Sequence, residues 1–390
     1  MSYSNATWPQ YAPDEIQAVT TVLRSGKVNY WTGSLCREFE KAYAASLGMD
    51  YAIAVANGTV ALDLAWVALG IRPGDEIIVT SRTFLASVSS IVLAEASPVF
   101  ADVDADSQNI TAESVRPLIT TKTRAILCVH LAGWPCDMDP LLALAREHGL
   151  YVVEDCAQAH GAFYKGRPVG SMGDIAAFSF CQDKIMTTGG EGGLVVTANQ
   201  DWWSVMWSYK DHGKAYDAVY AKNPPEGFRW LHESFGTNWR LTEMQGAIGL
   251  HQLEKLGGWV DRRRANTRTL FAALRGLNGL RVPEPADDIH HACYKAYAFV
   301  QPEALRAGWD RDRIMREISA AGVPCLSGSC SEVYLEKAFD GTGLRPVERL
   351  PIAQRLGDTS LMFLVHPTLS VDDLSHVGRV ARRVIQEATA

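Results

Sequence analysis

An alternation that begins near residue 50 and persists to residue 197 constrains this chain more than any other feature. Short apolar runs, each long enough for one strand, are separated by stretches with helical spacing. YAIAVA (51–56), EIIVT (76–80), PVFADV (98–103), RAILCVHL (124–131), YVVED (151–155), DIAAFSF (174–180) and GGLVVT (192–197) read as strands. Helices are expected from Thr59, over Ala86–Ala94, and over 140–149, where PLLALAREHG ends at a glycine. Strands separated by helices pair in parallel through right-handed crossovers, because tight hairpins are not available to them. The fold class is therefore α/β, with a mostly parallel sheet in a large domain.

Past residue 200 the pattern changes. Trp202, Trp203, Trp207, Trp230 and Trp239 cluster there, and NPPEGF (223–228) is a loop signal. A helix from about Thr242 to Val260 leads onward. VPCL, RLPIAQRLG and FLVHPTLS then mix strands with short helices, as in a smaller α+β domain. At 390 residues the chain exceeds what one hydrophobic core sustains, and the expected division is 1–250 and 251–390.

Composition excludes several classes. The formal net charge is −7, which argues against a nucleic-acid binder, since that needs a basic face to displace counterions. The eight cysteines form no C-x-x-C pair and several lie within apolar runs, so they read as reduced thiols of a cytoplasmic protein. The N-terminus shows no secretory signal, and no apolar stretch reaches the length of a membrane span. His160, His212 and His232 are candidate acid–base groups or plain hydrogen-bonded histidines. No H-x-x-x-H spacing points to a metal.

Ligands of open parallel sheets bind beyond the carboxyl ends of the strands. Those ends carry Asn57-Gly58-Thr59, then Ser81 to Phe84, then Asp155 to Gln158, then Ser179 and Lys184. Gly58 and Thr59 open a helix whose N-terminus favours a phosphate. Phe84 offers a face for a flat ring. Asp155 ends an apolar strand, where a carboxylate needs a partner. Lys184 precedes Ile185 and Met186, apolar company that favours an uncharged, nucleophilic amine. Each residue also has a plainer reading: a capped turn, a core aromatic, a helix cap, a solvated lysine. Their convergence on one sheet edge weighs more than any single position. The glycines at 189, 190, 192 and 193 lack a following G-K-[ST], so a Walker loop is a poor match.

With these residues in view, the chain resembles the DegT/DnrJ/EryC/StrS family of sugar aminotransferases, pyridoxal-phosphate enzymes of fold type I. The likeness runs through GKVNYWTGSLCREFEKAYA (26–44), ANGTVALDLAWVALGIRPGDEIIVTSRTFLAS (56–87), VEDCAQAHGA (153–162), GDIAAFSF with Lys184 and GGEGG (173–193), and GTNWRLTEMQGAIGL (236–250). It implies a seven-stranded, mostly parallel sheet and pyridoxal 5'-phosphate as cofactor. Lys184 would hold that cofactor covalently, Asp155 would pair with its ring nitrogen, and Gln158 would sit near its phenolic oxygen. Gly58, Thr59 and Ser179 would bind the phosphate and Phe84 would stack on the ring. Asn238 would reach the phosphate of a neighbouring subunit, making the enzyme a homodimer with shared sites.

Tyr30, Trp31 and Thr32 would lie near the substrate sugar. For the nucleotide's pyrophosphate, Lys210, His212, Lys214, Arg229 and Arg240 are candidates by charge. The implied reaction moves an amino group from L-glutamate to a keto group of a UDP- or dTDP-linked sugar, at C4 more often than C3. Where many members of the family read S-F-[HY]-P-x-K-N, this chain reads Ser179-Phe180-Cys181-Gln182-Asp183-Lys184-Ile185, with the serine–lysine spacing kept. A related dehydratase class carries histidine in place of the lysine, and the retained Lys184 argues against it.

Overall fold

The computed structural model describes residues 3–4, 6–220 and 230–389. Its central sheet has seven strands: β1 (Tyr51–Val55), β2 (Glu76–Thr80), β3 (Ser97–Ala101), β4 (Thr123–Val129), β5 (Tyr151–Asp155), β6 (Ile175–Ser179) and β7 (Gly193–Thr197). They lie in the order β1-β7-β6-β5-β4-β2-β3. The pairs β6–β5, β5–β4, β4–β2 and β2–β3 are parallel, while β7 runs antiparallel to both β6 and β1. Every apolar run read as a strand is one. PVFADV stops early because Asp102 leaves the ladder, its carboxylate accepting the amides of Ile352 and Ala353.

Helices cover both faces: α1 (Pro13–Ser25), α2 (Leu35–Leu47), α3 (Gly58–Ala68), α4 (Ala86–Leu93), α5 (Met138–His148) and α6 (Gln200–Tyr209). The strands are accordingly buried on both sides, which is why their sequences are apolar runs and not alternating ones. Between β5 and β6 the chain folds around Glu154, a fully buried carboxylate. It accepts His130 Nε2 at 3.0 Å and the amides of Gly170, Met172 and Gly173 at 2.9, 2.8 and 2.6 Å. Cys156 lies close enough for the three residues to surround an ion, but the carboxylate's lone pairs are spent on these donors.

The helix expected to end near Val260 continues as α7 (Glu243–Leu274), 32 residues or roughly 48 Å long. The division expected at 250/251 falls inside it. Gly257 and Gly258 do not stop the helix. Beyond them it buries Arg263, Asn266, Leu270 and Leu274, and Asn266 donates to the carbonyls of Val365 and His366. The C-terminal part adds an antiparallel sheet of β8 (Leu280–Arg281), β9 (Ala296–Val300), β10 (Cys325–Leu326) and β11 (Ser360–Phe363). Around it pack α8 (Arg311–Ala320), α9 (Pro351–Thr359) and α10 (Val371–Thr389). Two crossings blur any linear division. Tyr3 and Ala6 pack on this C-terminal core, and Val333, Tyr334 and Phe339 join the core of the large sheet.

Candidate active site

Strand polarity brings the expected positions to one edge. β5 and β6 end at Asp155 and Ser179, β1 ends at Val55, and the reversed β7 begins there, so that Gly193 pairs with both Val55 and Ser179. Asn57 caps α3, accepting the Val60 amide at 3.1 Å. The first-turn amides of α3, on Gly58 and Thr59, have no intrahelical acceptor and point out of the helix N-terminus. The turn can sit here because it is built on glycine. A β-carbon on Gly58 would lie 2.6 Å from Ser179 Cβ, and one on Gly193 would lie 2.2 Å from the Asn57 carbonyl oxygen.

Ser179 is fixed from below by a chain that residue patterns did not disclose. Tyr43 Oη lies 2.7 Å from His160 Nδ1, and His160 Nε2 lies 2.8 Å from the Ser179 carbonyl oxygen. A carbonyl only accepts, so Nε2 carries the proton and Nδ1 receives the tyrosine hydroxyl. Burial pushes His160 down to about 4 and keeps it neutral. This places His160 as a structural brace and not as an acid–base group.

The sign of its pH effect follows. An unfolded chain protonates this histidine below about 6.5, whereas the folded chain resists down to about 4. Stability is therefore lost as pH falls through that window, by up to about 3 kcal/mol. Glu40, pushed up to about 7 by burial, acts in the opposite direction. The histidine contribution is the difference between wild type and His160→Gln: the melting temperature of the variant is expected to fall less between pH 7 and pH 5.

Asp155 is 7% exposed. Its carboxylate accepts Ser87 Oγ at 2.8 Å and the Ala157 amide at 3.1 Å, and Ser87 Oγ lies 2.8 Å from Thr83 Oγ1. Gln158 accepts the Ala132 amide at 2.8 Å, which fixes its side chain. Lys184 is half-buried, with Nζ 5.3 Å from the centroid of the Tyr294 ring. Tyr294 Oη donates to Asp183, which also faces Lys295 Nζ at 3.6 Å. Phe84 stands 72% exposed at the start of α4, on the same edge. An aromatic ring so placed leaves a face open for a planar partner.

Asn238 is exposed, and its neighbours tie it to this edge: Trp239 accepts the Ala56 amide, and Arg240 bridges to Val55. The charge-based candidates separate. Lys214 Nζ and Arg240 Nη1 both hold Asp211, at 3.0 and 2.6 Å. His212 is exposed, and Arg229 lies outside the described residues. Lys210 does not face a ligand as its charge suggested: it is fully buried, with Nζ 3.9 Å from the centroid of the Tyr30 ring. Tyr30 is corrected with it. It is 1% exposed and its hydroxyl turns inward to Glu40, 3.2 Å away. Trp31 is half-buried, edge-on to Trp207, and Thr32 is exposed with its hydroxyl bonded to the Asn29 carbonyl. The aromatic belt of α6 draws Tyr30 and Lys210 inward, an effect invisible in a residue-type reading.

A carboxylate ending β5, a lysine on the turn after β6 and a glycine-built helix N-terminus go with the fold of the fold-type I pyridoxal-phosphate transferases. Residues 9–382 match the DegT/DnrJ/EryC1/StrS aminotransferase family, and the chain belongs to it. It is 40% identical to the GDP-perosamine synthase of Escherichia coli O157:H7 over 291 residues, 75% of this chain and 76% of that one. It is 35% identical to the dTDP-3-amino-3,4,6-trideoxy-alpha-D-glucose transaminase of Streptomyces venezuelae over 364 residues, 93% and 90% of the two chains. A solved aminotransferase from Psychrobacter cryohalolentis superposes with a TM-score of 0.97 at 55% identity, covering 99% of this chain and 100% of that one. The protein is thus a nucleotide-sugar aminotransferase that uses pyridoxal phosphate. Among the described residues no helix is long and apolar enough to cross a membrane.

Proposed function

We propose that this enzyme transfers the amino group of L-glutamate to a keto carbon, C4 in preference to C3, of a nucleotide-linked keto-deoxy sugar. UDP or dTDP is the favoured nucleotide, and the amino sugar is destined for a surface glycan or a glycoside. The observation that carries the reading is the gathering of Lys184, Asp155, Gln158, Ser179 and Gly58 on one sheet edge beside an exposed Phe84.

These residues fit pyridoxal phosphate. The first-turn amides of Gly58 and Thr59, with the Ser179 hydroxyl, form a phosphate cradle that a β-carbon at Gly58 would fill. Phe84 would offer a free face to the ring, Asp155 would pair with the ring nitrogen, Gln158 would sit near the phenolic oxygen, and Lys184 would supply the covalent link. Exposed Asn238 reaches the phosphate of a second subunit, completing a homodimer. Bound there, the cofactor supplies the electron sink for a carbanion and carries the amino group between the two half-reactions.

Lys184 is the base that takes the proton from the donor's α-carbon. In the return half it delivers a proton to the former keto carbon of the sugar. Asp155 is the group that would face the ring nitrogen and favour a proton there. Ser87 and Ala157 hold that carboxylate in place. His212, with Lys214 and Arg240 organised by Asp211, forms the basic side that meets the pyrophosphate.

Incubation with glutamate and a panel of UDP-, dTDP- and GDP-linked 4-keto and 3-keto sugars, followed by mass, tests the reading. An amino sugar and stoichiometric 2-oxoglutarate are expected. A loss of water from the sugar, with no nitrogen gained, would falsify it in favour of a dehydratase. The cradle has its own test. Gly58→Ala forces a β-carbon against Ser179, costing about 1–3 kcal/mol of stability. It is expected to weaken cofactor affinity at least about tenfold, read by absorbance titration.

A further inference from the structure

We propose that Gln252 is a positioning residue for Lys184, acting through a buried relay that runs from Thr187 to Gln252 to Glu15. The proposal rests on the reading of Lys184 as the lysine that holds the cofactor. That lysine must release its partner, move a proton and return to one place, so the backbone beneath it has to stay fixed while the side chain moves.

Besides the Asp183 contacts with Tyr294 and Lys295, the turn that carries Lys184 is tied to the N-terminal segment and to α7. Lys184's own carbonyl accepts the indole N–H of Trp8 at 2.7 Å. Three residues on, the Thr187 amide donates to Gln252 Oε1 at 2.9 Å. Thr187 Oγ1 then donates to the Phe180 carbonyl at 2.8 Å and accepts the Gly190 amide at 3.2 Å, closing the turn on itself. Thr187 is therefore the knot of the turn, and Gln252 on α7 is what the knot is fastened to.

Gln252 is itself oriented. It is 0% exposed, and its Nε2 donates to Glu15 Oε1 at 2.7 Å. Glu15, on α1 and 1% exposed, takes the Ala12 amide at 2.7 Å and Lys255 Nζ at 3.1 Å on its other oxygen. With a carboxylate on one side and an N–H donor on the other, the amide has one orientation. An apolar pair would seal α1 against α7 as well and would avoid burying a carboxylate. What an apolar pair lacks is an acceptor for the Thr187 amide. The N-terminal segment thus belongs to the active site: Trp8 and Glu15 act on the lysine turn without touching substrate. Trp8 is seated for this, edge-on to Trp259 at 5.0 Å and with the Arg263 guanidinium 5.1 Å from the centroid of its ring.

The test compares cofactor-loaded wild type with Gln252→Leu, with Gln252→Glu alone, and with the exchange Glu15→Gln plus Gln252→Glu. In the exchange, Glu at 252 accepts from both Thr187 and Gln at 15, so the relay is rebuilt with the charge moved. Loaded sites are counted by borohydride reduction, and rates are expressed per loaded site. Gln252→Leu is expected to speed amide exchange across 181–190 about tenfold or more and to lower kcat about 10–100-fold, with both KM values within about twofold. The exchange should recover most of both losses.

Wild-type exchange and kcat per loaded site in Gln252→Leu would overturn the proposal, as would an exchange variant no better than Gln252→Glu alone, where two buried carboxylates meet. If Gln252→Leu does not fold, the latter comparison decides. Trp8→Phe, which keeps the ring but loses the N–H, should show a smaller loss of the same kind. Peptide mapping of the reduced wild type keeps the two readings apart. A pyridoxyl group absent from Lys184 sinks the functional assignment, whereas a group on Lys184 with unaltered variants sinks only the relay.

Discussion

Lys184→Ala is expected to lower kcat by about ten-thousand-fold while leaving a folded protein. The size follows from the double duty proposed for the residue, as covalent anchor and as the base that moves the proton, and a positioned base alone contributes about 10²–10⁴-fold. The side chain is half-buried, and the hydrogen bonds Lys184 gives its turn come from its own amide and carbonyl, which alanine retains. Stability should therefore change little. The purified variant should lack the yellow colour that borohydride bleaches in the wild type, and its melting curve should remain cooperative. Retention of more than about a tenth of wild-type activity would assign the proton transfer to another group.

Asp155→Asn is expected to be the next largest effect, a loss of about 10²–10³-fold in kcat with stability nearly unchanged. Asparagine can keep both existing bonds. Its Oδ1 accepts the Ala157 amide, and its Nδ2 donates to Ser87 Oγ once that hydroxyl rotates towards another acceptor. What is lost is the negative charge, and with it the means of keeping the ring nitrogen protonated. Ser87→Ala is expected to be milder, because the charge survives and only its placement loosens. Steady-state kinetics beside thermal melting separates the cases: a matched fall in stability and rate in Asp155→Asn would make Asp155 a structural cap instead.

Much of this site was legible in the residues because of where the fold puts strand ends. Apolar runs long enough for one strand, separated by helical spacing, imply a parallel sheet. A parallel sheet gathers its strand ends on one edge, and Asn57-Gly58-Thr59, Asp155 and Ser179 follow from that alone. The reversed direction of β7 was not implied by any local pattern, yet it brings Gly193 between Val55 and Ser179 and tightens the corner around Gly58. Tyr30 and Lys210 were misread for one reason. Residue type reports chemistry, whereas exposure depends on neighbours remote in the chain, here Tyr30 and Lys210 packed against each other.

The sequence by itself determined the α/β class, the edge to which the candidate residues come and, through its resemblance, the cofactor. These rest on periodicity and short spacing, which survive in one dimension because the backbone repeats that produce them are local. The tertiary structure decided which groups hold the reactive ones still: Ser87 on Asp155, His160 under Ser179, Trp8 and Gln252 on the lysine turn. Those contacts join residues separated by 68, 19, 176 and 65 positions. No repeat encodes them. They exist because close packing leaves each buried polar group one place to find its partner.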